Sequence, residues 1–383
     1  MYTIKIQRVI KREERREKMK HRVLAILLSL CLLVGLFPTV ALAADETWLD
    51  VVTEEPEGYE EDAEGNVTIS SAEGLAWFAK QVNEGSSFEG KRVSLKKDVN
   101  LSDYEWVPIG TQENPFDGTF DGNLNKISGI IITLSKTNTT AGLFGRVSNA
   151  VIEDVIIRDA AVKGTIVGEE DPNTNDDRFT GVYIGGIAAG LKEMNQKGDN
   201  TVEIKNCQVE MDVDIQMEDG VYAVIGGVLG WTEDNWSGSK AAISDTDADL
   251  NVRCEAADGF YRTAIGGAIG EANGKTISSV ENGIFSLKTS LSGNGFMSGG
   301  DANKAVQIGG VVGRMPGVSS STGKLIDIKK VSCNTEADFS DTTDLLDQIS
   351  TDVGGVFGRG IYYNVEDCFS QIELTGNEKP SHY

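Results

Sequence analysis

Apolar and polar residues alternate along short stretches of this chain, and each stretch alternates with a glycine-rich phrase. In residues 202–204 and again in 209–215, every second residue is apolar. These residues are Val202, Ile204, Val209, Met211, Val213 and Ile215. A period of two is typical of a β-strand with one buried face. The pattern returns at 152–162, 243–252, 325–331 and 365–374. Helical repeats would need two striped runs of ten or more residues per unit, and the sequence contains no such pair.

The glycine phrase consists of a β-branched residue, two glycines, two apolar residues and a third glycine. It occurs at 225–230, 265–270, 308–313 and 353–358, with a longer form at 184–190 and a degenerate form at 141–145. The steps between second glycines are 44, 41, 40, 43 and 45 residues, for Gly142, Gly186, Gly227, Gly267, Gly310 and Gly355. Six units of about one length predict a stacked solenoid, because a single unit cannot bury its own apolar face. We expect these glycines to form a structural column where chain segments approach closely.

Three short strands joined by loops and turns in about 40 residues fit a coil of a parallel β-helix. The predicted fold class is therefore all-β, a right-handed parallel β-helix solenoid. Polar residues followed by an apolar residue or Cys, such as Asp154, Asn206 and Asp367, are expected at the tight bend between two strands. Two arrangements stay open: one long-looped coil per repeat, or two short coils.

A short amphipathic helix is predicted before the repeats. Ser70 and Glu73 have the spacing of a capping box, and Gly85 would end the helix. One helical face carries Leu75, Phe78, Ala79 and Val82. Because the first coil of a β-helix presents unpaired strand edges, we expect this helix to cover them.

The glycine phrases resemble the GLUG repeats of bacterial surface proteins. Residues 69–132 resemble the module that commonly precedes such repeats, through the sequences at 69–79, 88–91, 98–101, 106–110 and 116–122. The resemblance implies a β-helix with a capped N-terminal module (67–135), about six repeats of 40–45 residues (136–376) and a tail (377–383). We expect the chain to be truncated or continued by further modules. Such repeats occur in adhesin-like proteins and ahead of the catalytic part of IgA-cleaving metallopeptidases, so the resemblance is specific for fold and surface location rather than activity.

The N-terminus has the three parts of a secretory signal peptide, which we assign to residues 1–43. Basic residues 19–22 precede an apolar stretch at 23–40 and the small-residue motif Ala41-Leu42-Ala43. Translation starting at Met19 is an alternative, because the first 18 residues carry charges of both signs. A retained membrane anchor is the competing interpretation, but Gly35 and Pro38 interrupt the apolar run. We expect a secreted or cell-surface protein in which the acidic residues 44–66 form a linker.

The remaining chain is strongly acidic. Residues 1–43 hold 9 of 35 basic and 3 of 59 acidic side chains, which leaves 26 against 56 and a net charge of −30. Such a charge disfavours nucleic acid as a partner. Solubility is the simpler explanation, and calcium binding the alternative, at 169–171 with 176–177 or at Asp245, Asp247 and Asp249. Neither cluster has an EF-hand spacing, so we expect no cofactor, with calcium as the open possibility.

Catalytic chemistry is limited by the scarcity of histidine. The chain has two, His21 in the signal peptide and His382 in the tail, so no Ser-His-Asp, Cys-His or His-Glu-x-x-His arrangement is expected in its body. Carboxylate-only glycoside hydrolysis or a lyase reaction stays possible. We therefore expect no enzyme activity, and a carbohydrate-active β-helix enzyme is the runner-up.

Four cysteines follow the signal peptide: Cys207, Cys254, Cys333 and Cys368. Cys207 and Cys368 occupy the same place in units four repeats apart, roughly 19 Å at about 4.8 Å per coil. That separation exceeds the reach of a disulfide. We expect buried free thiols that act as small apolar groups.

Trp231 and Trp236 flank an acidic loop and are the candidate ligand-binding residues, by stacking on sugar rings. In the alternative, Trp231 packs under its own loop and Trp236 has no role. The predicted function is a binding or spacing module, monomeric and free of the membrane after signal cleavage, in an adhesin-like protein. Its expected partner is a glycan or a host or surface protein. A non-catalytic N-terminal region of a surface peptidase is a further alternative.

Overall fold

The computed structural model describes residues 46–168, 180–192, 200–218, 220–232, 239–256, 262–272, 276–293, 305–315, 326–341, 350–360 and 363–376. Within these residues the protein is mostly β, with parallel sheets and two short helices. The predicted signal peptide, Trp236, the acidic cluster at 169–177 and the tail at 377–383 lie outside the described residues.

The N-terminal part contains both helices and short strands. In chain order it comprises α1 (Trp48–Val51), β1 (Tyr59–Glu61), β2 (Val67–Ile69), α2 (Ala72–Asn83), β3 (Arg92–Leu95), β4 (Val99–Asn100), β5 (Thr119–Asp121), β6 (Lys126–Ser128) and β7 (Ile131–Leu134). Strands β1 and β2 pair antiparallel, and every other strand pair of the described chain is parallel.

The degenerate first glycine phrase connects two strands, β8 (Thr140–Ala141) and β9 (Phe144–Val147). The next eight strands are β10 (Val151–Glu153), β11 (Ile156–Val167), β12 (Thr180–Gly185), β13 (Ala188–Leu191), β14 (Thr201–Lys205), β15 (Gln208–Glu218), β16 (Val221–Gly226) and β17 (Leu229–Trp231). A further eight are β18 (Lys240–Ser244), β19 (Asp247–Ala256), β20 (Arg262–Gly266), β21 (Ile269–Glu271), β22 (Ile277–Glu281), β23 (Ile284–Gly293), β24 (Ala305–Gly309) and β25 (Val312–Arg314). The last are β26 (Ile326–Lys329), β27 (Ser332–Asp341), β28 (Ser350–Gly354), β29 (Phe357–Arg359), β30 (Tyr363–Glu366) and β31 (Phe369–Thr375).

These strands form four sheets, which we label A to D. Sheet A has the order β1-β2-β3-β5-β10-β14-β18-β22-β26-β30, and sheet B the order β31-β27-β23-β19-β15-β11-β6-β4, with β7 beside β11. Sheet C has the order β28-β24-β20-β16-β12-β8, and sheet D the order β29-β25-β21-β17-β13-β9. Each repeat from β10 to β29 adds one strand to every sheet, and we call these four strands a rung. One repeat is therefore one level of the stack, which decides between the two arrangements that the sequence left open.

The long strands of sheet B show why alternating residues form this structure. Along β15 the side chains alternate between exposed and buried over all eleven residues. The buried set is Val209, Met211, Val213, Ile215 and Met217. Strands β19 and β23 continue the alternation in register with β15. Each rung thus supplies one row of apolar side chains to a continuous core.

The bend between sheets A and B is built from residues in the left-handed backbone region. Asp154, Asn206 and Asp367 have φ values of 57°, 52° and 54°, and the same bend contains Asp245, Asn282 and Lys330. Asn and Asp tolerate this conformation because their short side chains hydrogen-bond locally. The structure confirms the three predicted bends. Lys330 adopts the same conformation without that advantage, so the bend is fixed by its neighbours in the stack rather than by its own sequence.

The two central glycines of each phrase let sheets C and D lie in direct backbone contact. A Cβ atom on Gly266 would overlap the carbonyl oxygen of Ile269 in the same rung. A Cβ atom on Gly267 would overlap the carbonyl oxygen of Gly310 in the next rung. Gly227 and Gly310 meet the corresponding oxygens of their own following rungs. Neither glycine position in these rungs therefore has room for a side chain.

The helix α2 is present where the sequence predicted it and packs against the apolar core of the N-terminal part. Its role in covering the strand edges of the stack stays a prediction. Leu75, Phe78, Ala79 and Val82 are all buried, and the ring of Phe78 lies 5.0 to 6.1 Å from three other core phenylalanine rings. The prediction of the cap is wrong by one residue. Ser71, not Ser70, is the N-cap, and its side chain accepts a hydrogen bond from the Gly74 amide. The reason is that the Ser70 amide is already bonded to the Gly58 carbonyl.

Residues 46–66, predicted to be a linker, belong to the folded body. Trp48, Val52 and Tyr59 are buried in the core. The indole of Trp48 donates a hydrogen bond to the Leu101 carbonyl at 2.9 Å. Strand β1 adds an outer strand to sheet A. The linker prediction was wrong because it relied on the acidic composition of this segment. The carboxylates face solvent, whereas the few apolar residues pack into the core.

The four cysteines of the body are unpaired thiols. Cys207 and Cys368 each directly precede a strand of sheet B, at matching positions four rung steps apart. Cys207, Cys254 and Cys333 are buried, whereas Cys368 is partly exposed. Burial raises the pKa of Cys207 and Cys254 to about 12, and that of Cys333 to about 11. Three of the four thiols are therefore poor nucleophiles in the folded state.

Replacement of Gly267 by Val should destabilise the protein, because the new side chain must displace the Gly310 backbone. We expect a loss of about 1–3 kcal/mol or more and a lower thermal melting temperature. Asp249→Val, on an exposed position of β19, is the matched control and should leave the melt nearly unchanged. Equal melting temperatures for both variants would contradict close backbone packing at Gly267.

Alkylation of the native protein at pH 8 should label Cys368 first and leave Cys207, Cys254 and Cys333 unmodified for much longer. After unfolding without a reductant, mass spectrometry should find all four thiols labelled. A disulfide between Cys207 and Cys368 would be incompatible with the rung assignment, which separates them by roughly 19 Å.

Candidate functional site

Trp231 lies at the end of β17 and is 5% exposed. Its ring stacks on Tyr183, with centroids 4.7 Å apart and an interplanar angle of 23°. An indole covered in this way offers no open face to a sugar ring. The packing therefore disfavours the sugar-stacking role predicted for Trp231 and favours the alternative, in which it packs inside the fold. Trp236 lies outside the described residues.

Arg146 extends beneath the same aromatic pair. Its guanidinium carbon lies 5.0 Å from the Tyr183 centroid and 5.4 Å from that of Trp231, which are cation–π distances. In sheet D, Arg146 of β9 pairs with Gly190 of β13, and Gly190 pairs with Trp231. A Cβ atom on Gly190 would overlap the Arg146 guanidinium. The absent side chain at Gly190 is therefore what lets Arg146 lie across its neighbouring rung.

The next rungs place a buried ion pair in the same column of sheet D. Glu271 pairs in register with Trp231 and with Arg314. The Arg314 guanidinium contacts the Glu271 carboxylate at 3.2 Å, and both side chains are at most 10% exposed. Burial raises the pKa of Glu271 to about 6, and Arg314 opposes that rise. Sequence reasoning missed this column because its members are about 40 residues apart and share no motif.

The outer face of strand β15 in sheet B is exposed and polar. Strand β15 presents Glu210, Asp212 and Asp214 on this face. Glu210 lies in register with Asp249 of β19, so their backbones are about 4.8 Å apart. This carboxylate pair is the arrangement that would favour a glycoside hydrolase. It lies on an open strand face, whereas small-molecule sites are usually concave.

A polar cavity of about 330 Å³ lies between the N-terminal part and the first rung. It is lined by Gly85, Ser86, Ser87, Glu89, Glu113, Asn114, Pro115, Asp117, Ser148, Asn149 and Lys192. Asp117 accepts hydrogen bonds from the Ser87 hydroxyl and the Phe88 amide, both at 2.7 Å. The residues come from four separate segments, so no local signal in the sequence indicates the cavity. It is the concave polar site nearest the junction with the repeats.

The second acidic cluster proposed for calcium is spread over a bend and a strand. Asp245 accepts a hydrogen bond from the Asn282 side chain, and Asp247 accepts one from the Ile284 amide. Asp249 lies two residues further along β19. Among the residues that the structure describes, no group of three or more His, Cys, Asp or Glu side chains is arranged to hold a metal ion. The other cluster, at 169–171 and 176–177, lies outside the described residues, and calcium binding there stays the alternative to the prediction of no cofactor.

The chain is similar in fold to a solved structure described as a putative immunoglobulin A1 protease from Bacteroides ovatus. The two share 19% sequence identity with a TM-score of 0.55, over 87% of this chain and 83% of that chain. No protein-family model matches the sequence. No curated protein matches it either. At this identity the similarity establishes a shared fold and leaves the activity of this chain open.

Among the described helices, neither has the length and apolar character to span a bilayer.

Glu271 should make stability depend on pH in a way that Glu271→Gln removes. The folded-state pKa of about 6 lies above the ordinary value of 4.5. Its contribution is thus fully present below pH 4.5 and is lost as the pH rises through 6, by about 2 kcal/mol. We expect the stability of the wild type relative to Glu271→Gln to fall by that amount between pH 4 and pH 7.5 in urea unfolding. A difference that does not change with pH would contradict the buried-carboxyl account.

Proposed function

We propose that this chain is a secreted or cell-surface module, similar to GLUG-repeat proteins, that binds a partner or acts as a spacer and has no catalytic activity. Its four parallel sheets would close into a right-handed β-helix, since connections between parallel strands are right-handed in nearly all proteins. The observation that carries the proposal is the unbroken strand order of sheets A to D through five successive rungs. A stack of this kind forms a stiff body from which loops project.

The fold similarity favours one version of this proposal. The similar structure is described as a putative immunoglobulin A1 protease, and the match covers 83% of that chain. A stack of parallel strands in such a protein fits the non-catalytic region of a surface peptidase. An adhesin-like protein is the other version. In both, the partner would be a glycan or a protein of a host or cell surface, recognised noncovalently, and the acidic charge would keep nucleic acid away.

The carbohydrate-active enzyme is the second candidate, and the Glu210–Asp249 pair is the observation in its favour. A retaining glycosidase holds its two carboxyl groups about 5–5.5 Å apart within a cleft that positions the sugar. Glu210 and Asp249 lie in register on adjacent strands, and both side chains are exposed on the strand face. We therefore favour the binding module.

Purified protein should release neither reducing ends from polysaccharides nor new amino termini from protein substrates. The double variant Glu210→Gln/Asp249→Asn is the matched control, because it removes the carboxylate pair from an exposed face. The proposal predicts identical background signals for both proteins. Turnover by the wild type that disappears in the double variant would establish the enzyme instead.

A further inference from the structure

The polar cavity described above is a candidate binding site. Its walls come from the turn after α2, the loop around Asp117, the bend at Ser148 and Asn149, and Lys192 just after β13. Its volume of about 330 Å³ falls at the lower end of the ~300–1,000 Å³ range of small-molecule sites. It therefore has room for a small polar molecule.

The polar groups of the cavity are held in place before any ligand arrives. The two hydrogen bonds to Asp117 fix its carboxylate, which still has lone pairs to offer. The amide of Asn149 donates to the side-chain oxygen of Asn200 at 2.9 Å, and the Asn149 side chain accepts from the Thr201 amide at 3.1 Å. Fixed groups lose little entropy on binding, so such an arrangement suits recognition.

Ser148 adds a hydroxyl group to the cavity wall. Its side chain lines the cavity, although the residue is only 6% exposed. Among the described residues its hydroxyl forms no hydrogen bond, while its backbone amide is bonded to the Phe116 carbonyl. The hydroxyl is therefore free to donate to, and to accept from, a molecule in the cavity.

The charges of the cavity select the class of ligand. Glu89, Glu113 and Asp117 would repel an anion such as phosphate. Among the residues that the structure describes, no three of these carboxylates are arranged to hold a metal ion. A neutral ligand with many hydroxyls suits the remaining groups, because each hydroxyl can donate to a carboxylate and accept from the Lys192 ammonium group or from Ser148.

We propose that this cavity binds a sugar residue of a glycan through Asp117, Ser148 and Lys192. The inference rests on the proposed function, because it names the ligand class of an extracellular binding module. No aromatic ring lines the described cavity, so recognition depends on hydrogen bonds rather than on stacking. That dependence makes the binding selective for the arrangement of hydroxyls on the ring.

The test is a glycan array with the wild-type protein, followed by titration calorimetry with the best oligosaccharide. We compare Asp117→Asn, Ser148→Ala and Lys192→Met with Asp212→Asn, a matched carboxylate replacement on the outer face of sheet B. Binding should weaken at least tenfold in the three cavity variants and stay unchanged in Asp212→Asn. Ser148→Ala separates recognition from folding, because loss of an unbonded hydroxyl should leave the melting temperature unchanged or raised.

The same oligosaccharide, free or attached to a glycoprotein, distinguishes the source of the ligand. Competition by the free sugar at its own dissociation constant indicates that the sugar alone is recognised. Absence of any glycan binding, or equal affinities for all four variants and the wild type, would overturn the inference. Either result, with no turnover in the assays above, would leave the proposed non-catalytic module intact.

Discussion

Backbone contact at the glycine phrases is the constraint on which the rest of this structure depends. Sheets C and D lie so close that the first glycine of a phrase has no space for a Cβ atom, and the second glycine lies against the next rung. Amide hydrogen bonds such as Gly267 to Gly309, at 3.2 Å, join successive phrases along the stack. Because these contacts use only backbone atoms, they repeat without depending on the apolar residues that fill the core.

This constraint determines where the charged side chains and the polar cavity lie. Strand pairing fixes the register of the core strands. A charged side chain inside the stack must therefore contact a partner on another strand of the stack. Glu271 and Arg314 do so directly, and Arg146 does so through the rings of Tyr183 and Trp231. The junction with the N-terminal part is free of this repeat, and there the chain forms a concave polar surface. Binding is therefore expected at the end of the stack rather than along its core.

Much of the fold could be predicted from the sequence, because it depends on local patterns. A period of two predicted the strands, the phrase spacing predicted the repeats, and Asn206 with its equivalents predicted the bends. The features that failed depend on distant contacts. Trp48 and Tyr59 are held by residues far along the chain, Trp231 is covered by Arg146 from strand β9, and the cavity joins four separate segments. No short stretch of the sequence contains both partners of these contacts.

The central claim is that one repeat adds one rung, and a distance across several rungs tests it most directly. Asp212 and Glu373 are exposed and stand in the same register column, four steps apart through Asn251, Lys288 and Glu336. Spin labels at Asp212 and Glu373, in a Cys368→Ser background, should report a narrow distribution near the four-step separation of about 19 Å in pulsed electron resonance. A distribution centred near about 38 Å, as two coils per repeat require, or a broad one without a clear maximum, would contradict the account.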